Sequence, residues 1–422
     1  MTAEPSPLAL RFLRLSARLL LEYNVRSKSL ERRLARIARH VGADVETLVG
    51  YREITLVLPD GRGLHTRVPE YRINVAVSAA ALHVIDELCR DRIGLDDATG
   101  RLESLEGATA RHPLAVVVCL FSLAAAAIAW LLRADWGAMA VSGVASGLGL
   151  VARRELAKRT ESIFVLPFTA GLIGAVFGGV AIRLGWTATP GLCLIVPALM
   201  LVPGPHLINS VYDVLENHVQ TGLCRLALAS GILVATALGV VLGGWITVGA
   251  TTVSTGASET IPLTLLLDVV LAGVAAAGFG AFYNAPWRVL WVSILCGVAG
   301  HGLRYLCLEH VGVELSTLFG CLAVGFIASA SANRMQLPFS AIAFAGAVPM
   351  MPGVFIYQSI ANAMRLSAAG TAADPALAAA ALALLFKSVL VVGAMTVGLV
   401  VGARLADLTH RDGGADHCMS QG

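Results

Sequence analysis

The run LVPGPHLINSVYDVLEN, residues 201–217, holds groups suited to binding a small charged molecule. Asn209 and Asp213 stand four residues apart, so a helix puts a carboxamide and a carboxylate on one face. His206 and Glu216 extend that face, and Pro203-Gly204-Pro205 interrupts the apolar stretch just before it. Proline lacks an N–H and disrupts the preceding turn, while glycine frees the backbone angles. A new helix can begin after such a break, with Pro205 in its first turn. Its unpaired N–H groups and positive dipole end attract an anion such as a carboxylate. The pattern returns in MMPGVFIYQSIANAM, residues 350–364. Pro352-Gly353 follows Pro203-Gly204 at an offset of 149, and at that offset Gln358 answers Asn209 and Asn362 answers Asp213. Arg365 extends the second face. A zwitterion fits this set: helix starts for its carboxylate, Asp213 for its ammonium, and Asn209, Gln358 or Tyr357 for a hydroxyl. The plainer alternative ends each span at its Pro-Gly, with an aqueous loop beyond. Leu207, Ile208, Val211, Leu215 and Val219 keep helical apolar spacing past the break, which favours a continuing helix.

Two more charges stand alone in apolar runs: Asp268 in PLTLLLDVVLAGV and Lys387 in LALLFKSVLVVGAM. Intramembrane charges are costly and typically serve ion or proton relays. Lys387 lies about 16 Å into its span by helix rise, far for its stem to reach the interface. It could pair with Asp268 or with Asp213. His206 is a further proton-carrier candidate, with a water-facing position at the helix start as the alternative.

These residues need a membrane to sit in, and composition supplies one. The chain is 56% hydrophobic and 14% charged, against about 25% charged in soluble domains. Residues 1–112 hold more than half of the 31 Lys and Arg and of the 28 Asp and Glu, so a polar N-terminal domain precedes a larger apolar one. Ten spans of about 20 residues are expected: 113–132, 136–152, 163–182, 188–217 (interrupted), 224–245, 261–282, 287–304, 314–332, 338–365 (interrupted) and 376–403. The six tryptophans fall at or near span ends, as interfacial belts do. The fold expected is an α-helical polytopic membrane protein with two discontinuous helices and a small N-terminal α+β cytoplasmic domain.

The halves echo each other beyond the Pro-Gly breaks. Trp136, Val141-Ser142, Gly149 and Arg153 match Trp287, Val292-Ser293, Gly300 and Arg304, all at an offset of 151. Five spans per copy is an odd number, so the second copy enters the membrane from the opposite side. That is a 5+5 inverted-topology repeat, an architecture of secondary transporters. The two polar faces are expected to meet across its pseudo-two-fold axis. The domains are then 1–112, membrane repeats 113–245 and 246–405, and a tail 406–422. If the polar domain is cytoplasmic, the connections on its side hold nine Lys and Arg (Arg153, Arg154, Lys158 and Arg159 dominating) against four outside. This places both termini in the cytoplasm and the chain in the cell inner membrane.

In the polar domain, ERRLARIARHVGA reads as an amphipathic helix, and Pro59-Asp60-Gly61 as the turn of a hairpin between 52–58 and 63–68. The arginine-rich helix face is a solvated surface or a contact for anionic lipid head groups. His65, His83, Asp86 and Glu87 show no catalytic or metal spacing. No C-x-x-C, H-E-x-x-H or phosphate-loop pattern occurs, so no metal, cofactor or enzyme activity is expected. The eight cysteines read as small apolar packers. A net charge of +3 with no basic stripe argues against nucleic acid. The N-terminus lacks the apolar core and cleavage site of a signal peptide.

Taken together, these residues resemble the threonine/serine exporter family, over nearly the whole chain and in the fused form with both five-span blocks. The most telling motif is a Pro-Gly followed by a polar helix with Asn and Asp, then Gly and Arg: here Pro203, Gly204, Asn209, Asp213, Gly222 and Arg225. The segment SARLLLEYNVRSKSLERRLARIARHVGA is similar to the family's opening, with Tyr23-Asn24-Val25 where Gly and acidic residues are usual. The resemblance implies proton-driven export of small amino acids by alternating access. Partners are then the substrate, protons and membrane lipids, with homo-oligomerisation left open. A dicarboxylate (succinate-like) exporter is the alternative, since related two-chain members are associated with dicarboxylate export. A membrane-anchored enzyme, or a ligand-gated channel or sensor using the polar domain, is the alternative of another class.

Overall fold

A computed structural model describes residues 5–106, 112–249 and 263–419. The expected start of the sixth span at 261 and the end of the tail at 420–422 lie outside the described residues, as do the junctions near 107–111 and 250–262. The polar N-terminal stretch folds as α1 (Pro7–Glu22), α2 (Ser27–His40), β1 (Glu46–Gly50), β2 (Glu53–Val57), β3 (Gly63–Arg67), α3 (Val75–Leu88) and α4 (Leu95–Glu106). Ser6 caps α1 by accepting the Ala9 N–H. Strands β2 and β3 pair antiparallel, with Glu53 opposite Arg67 and Val57 opposite Gly63. The edge strand β1, absent from the sequence reading, pairs with β2. Alternation buries Ile54 and Leu56 of β2 against Phe12, Leu13 and Leu20 of α1 and Leu30, Leu34 and Ile37 of α2.

The apolar stretch forms α5 (Leu114–Leu131), α6 (Trp136–Leu156), α7 (Val165–Arg183), α8 (Pro190–Leu199), α9 (Gly204–Leu215), α10 (Val219–Val248), α11 (Leu265–Phe282), α12 (Trp287–Met335), α13 (Phe339–Ala347), α14 (Gly353–Ala369) and α15 (Pro375–Met419). Six of these, α5, α7, α10, α11, α12 and α15, are long and apolar enough to cross a membrane. Two further pairs pass that test jointly but are bent, α8 with α9 by 63° and α13 with α14 by 68°. The expected second span coincides with α6, which is less apolar because it is rich in Gly and Ser. Those small residues let it approach α5: a Cβ on Gly147 would lie 2.4 Å from Ser122 Oγ. The seventh and eighth expected spans run together as α12. Its helix is interrupted at Gly312, whose φ of 75° and ψ of −178° are non-helical. There the chain folds back, and a Cβ on Gly320 would lie 2.5 Å from the Gly300 carbonyl oxygen.

The N-terminal unit is fastened to the helices behind it. Val75 N–H donates to the Tyr283 carbonyl (2.9 Å) and Ala76 N–H to that of Asn284 (3.2 Å). The Asn284 carboxamide reaches Asn74 Oδ1 and accepts the His112 N–H.

Candidate functional site

Each broken helix begins where it crosses the other. Pro203 and Pro352 occupy the N-caps of α9 and α14. Gly204 packs on the Phe344 ring of α13, where a Cβ would overlap the ring at 1.5 Å; Gly353 packs on Leu199 of α8, where a Cβ would meet a methyl at 2.4 Å. Tyr357 of α14 donates to the Ala198 carbonyl of α8 (3.3 Å), and Asn209 of α9 accepts from Ser340 of α13. The second half of each broken helix thus seats on the first half of the other.

The two polar faces pack against different neighbours, α9 on α10 and α13 and α14 on α15, α10 and α8. Helix α9 also bonds the turn between α1 and α2 through Asn209 and Asp213. Gln358 and Asn362 are half-buried on α14, and Arg365 is exposed.

The face of α9 is buried, and its Asn209 and Asp213 are engaged. His206, Asn209, Ser210 and Asp213 follow helical spacing, and all four are buried. They meet the turn between α1 and α2, where Asn24 sits at φ 58°, a left-handed conformation that Asn tolerates better than most residues. That turn presents two carbonyls and one amide. Asn209 Nδ2 donates to the Asn24 carbonyl (2.6 Å). Arg225 Nη2 of α10 donates to the Val25 carbonyl (3.3 Å). Ser27 N–H, at the start of α2, donates to Asp213 Oδ1 (3.0 Å), and Asp213 Oδ2 takes Arg225 Nη1 (2.6 Å). Both Asp213 oxygens are engaged, so in this conformation neither stands open to a substrate ammonium. The Tyr71 ring lies 4.9 Å from the Arg225 guanidinium carbon and 6.0 Å from the His206 ring. His206 is covered rather than facing water, and its Nδ1 has no partner among the described residues. Gly222 completes the cluster: a Cβ there would lie 2.6 Å from the Ser210 carbonyl, so only glycine lets α10 approach α9 this closely.

The start of α9 differs from the anion-binding end read from its sequence. Gly204 N–H donates to Val202, Pro205 has none, and His206 N–H donates to Pro203. The first-turn donors are therefore spent locally.

The lone charges have partners other than those considered. Asp268, buried in the first turn of α11, hydrogen-bonds His301 Nδ1 of α12, and His301 Nε2 has no partner among the described residues. Lys387 makes no ion pair among the described residues; its Nζ lies 4.8 Å from the centre of the Phe355 ring, one turn into α14. Glu216 pairs with Arg404 of α15 (3.2 Å). Sequence reading missed His301, Ser340 and the Asn24 turn. An Asn between two amphipathic helices was the only available signal for the turn; His301 carried none, since its partner is 33 residues away.

Comparison with known proteins places these features in company. Residues 11–246 match the family described as "Putative threonine/serine exporter", and residues 268–404 match that described as "Threonine/Serine exporter, ThrE". Among curated relatives, the "Probable succinate transporter subunit YjjP" of Klebsiella aerogenes is 29% identical over 228 residues, 53% of this chain and 88% of that protein. The protein of the same name from Escherichia coli K12 is 27% identical over 54% of this chain and 93% of its own length. The "Threonine/serine exporter" of Corynebacterium glutamicum is 24% identical over 61% of this chain, which spans 54% of that protein. No solved structure matches.

Proposed function

The chain belongs to the threonine/serine exporter family, and from that premise we propose that it exports small amino acids of the threonine and serine type by proton-coupled alternating access. Membership makes it a membrane transporter and not an enzyme. The observation that carries the proposal is the crossing of two broken helices at Gly204–Phe344 and Gly353–Leu199. Broken helices near the midplane are where secondary transporters bind substrate, and rocking one repeat against the other exposes such a site to each side in turn. We take α5–α10 and α11–α15 as inverted five-span repeats, with both termini cytoplasmic. Reciprocal packing of α9 on α13 and α14 on α8 supports that reading, as does the pairing of Arg404 near the end of α15 with Glu216 beside the N-terminal unit.

In this reading the structure is one conformation of the cycle. The substrate contacts are the break residues Pro203, Gly204, Pro352 and Gly353 with His206, Asn209, Tyr357, Gln358 and Asn362. Asp213 becomes available only when its clamp on Ser27 and Arg225 opens. Asp268 with His301 forms the proton-carrying pair, because a buried carboxylate–imidazole pair with a free ring nitrogen can change protonation as its surroundings alternate. A second reading, export of a dicarboxylate, is favoured by Lys387 standing beside the first turn of α14, where it could take a second carboxylate.

Counterflow into proteoliposomes with labelled threonine, serine and succinate, with and without a pH gradient, tests the proposal. Threonine or serine exchange that a pH gradient stimulates is expected. Flux that ignores the gradient and does not saturate would instead describe a channel and end this reading.

A further inference from the structure

A cavity of about 330 Å³ lies between α2 and the adjoining ends of α9, α12 and α13. Four arginines line it, Arg26, Arg32, Arg33 and Arg36, against two acids, Glu216 and Asp407. Each acid is engaged through one oxygen, and Glu216 Oε2 has no partner among the described residues. Glu216 pairs with Arg404 (3.2 Å), and Asp407 accepts from Ser329 (3.2 Å) and Asn333 (3.0 Å). Of the arginines, only Arg36 has a carboxylate partner among the described residues, Asp86 at 3.2 Å. Arg26 is stacked between the Tyr212 and Phe339 rings, 4.4 and 4.7 Å from their centres. Arg33 reaches only Gln336 Oε1, at 3.4 Å. Burial, reinforced by Arg36 and only partly offset by Asp86, lowers the Arg33 pKa. A fifth group points the same way. Asn24 also lines the cavity, is 5% exposed, and neither polar atom of its carboxamide has a partner among the described residues. Buried amides are ordinarily satisfied, so this one is left for a ligand.

We propose that this cavity is a binding site for a small dicarboxylate anion, held by Arg26, Arg32 and Arg33 with a hydrogen bond from Asn24. Guanidinium forks match carboxylates in geometry as well as charge. Three arginines without a carboxylate partner stand against one carboxylate without a cation among the described residues, Asp407, so the cavity is net positive and favours a dianion over a zwitterion. The volume falls at the lower end of the roughly 300–1,000 Å³ common for small-molecule sites. Pro205 of α9 and Ser340 of α13 share the wall, so the anion rests directly against both broken helices. Its role as a waiting station on the transport path rests on the dicarboxylate reading above; its binding does not.

Calorimetric titration of the full-length protein, in nanodiscs of phosphatidylcholine alone, tests the site with succinate, threonine and inorganic phosphate as ligands. Succinate is expected to bind, with threonine and phosphate about tenfold weaker or more, the scale of one charge-assisted contact. Arg33→Ala should weaken succinate about tenfold, again the loss of one such contact. Asn24→Gly should weaken it a few-fold while keeping the fold, since glycine accepts the φ of 58°. Arg39→Ala, on the same helix but outside the cavity, should bind as the wild type does. Succinate binding unchanged in both cavity variants, or threonine or phosphate binding as tightly as succinate, overturns the proposal. So does loss of succinate binding when phosphatidylglycerol is added, which would assign the arginines to lipid head groups. Counterflow is scored separately. Binding without counterflow removes the transport reading and leaves this site standing, whereas counterflow without binding removes this site alone.

Discussion

Asp213 and Arg225 form a fully buried ion pair, Nη1 to Oδ2 at 2.6 Å, that also grips the turn between α1 and α2 through Ser27 and Val25. A charge pair this deep is costly to desolvate, and the Ser27 N–H and Val25 carbonyl offset part of that cost, while Arg225 Nε has no partner among the described residues. It fastens the polar N-terminal unit to the second half of a broken helix, so movement of one must load the other.

Removing one partner should therefore cost far more than removing both. Asp213→Asn and Arg225→Gln are each expected to destabilise by about 3–5 kcal/mol, as for an uncompensated buried charge. The double variant Asp213→Leu/Arg225→Met should lose less than either. Thermal unfolding in detergent measures this, and single variants as stable as wild type would show that the pair does not hold the unit.

The helix crossing makes an asymmetric prediction. Gly204→Ala must displace the Phe344 ring and should cost about 1–3 kcal/mol, with transport impaired. Adding Phe344→Ala makes room and should recover part of both losses. Gly353→Ala meets only the end of the Leu199 side chain, which can turn aside, so its effect should be smaller. Equal effects of the two glycine variants would mean that the crossing is not under this steric control.

The buried Asp268–His301 pair should separate coupling from substrate recognition. His301→Ala and Asp268→Asn are expected to keep threonine counterflow while losing stimulation by a pH gradient. Paired counterflow and gradient-driven assays check this, and retained stimulation in both variants would exclude the pair as the proton carrier.

Lys387 should matter to transport more than to folding. Its contact with the Phe355 ring is worth about 0.5–2 kcal/mol, so Lys387→Met should remain folded. If Lys387 holds a second carboxylate, succinate flux should fall at least about tenfold, the scale of one charged contact, with threonine flux nearly unchanged. Equal losses for both substrates would argue that it acts on the helices instead.

The residues themselves carried a good deal of this. Hydropathy marked the apolar helices, and the Pro-Gly pairs at 203 and 352 marked the two bends, because proline and glycine act on the backbone locally. The helical spacing of His206, Asn209 and Asp213 was legible for the same reason. The join at Gly312 was foreseen as two spans, since span length is also a local property. Strand β1 was not foreseen: its polar edge residues offer no period, and it exists by pairing with β2.

What only the tertiary structure decided is which groups meet. Local sequence fixes which face of a helix a side chain occupies, but an ion pair is chosen by packing between segments far apart in the chain. Asp213 went to Arg225 and Ser27, Asp268 to His301, and Lys387 to the Phe355 ring, none of which spacing alone could select. The same holds for the cavity. The arginines of α2 read as an amphipathic helix face, and became the wall of a pocket only once α9, α12 and α13 closed over them.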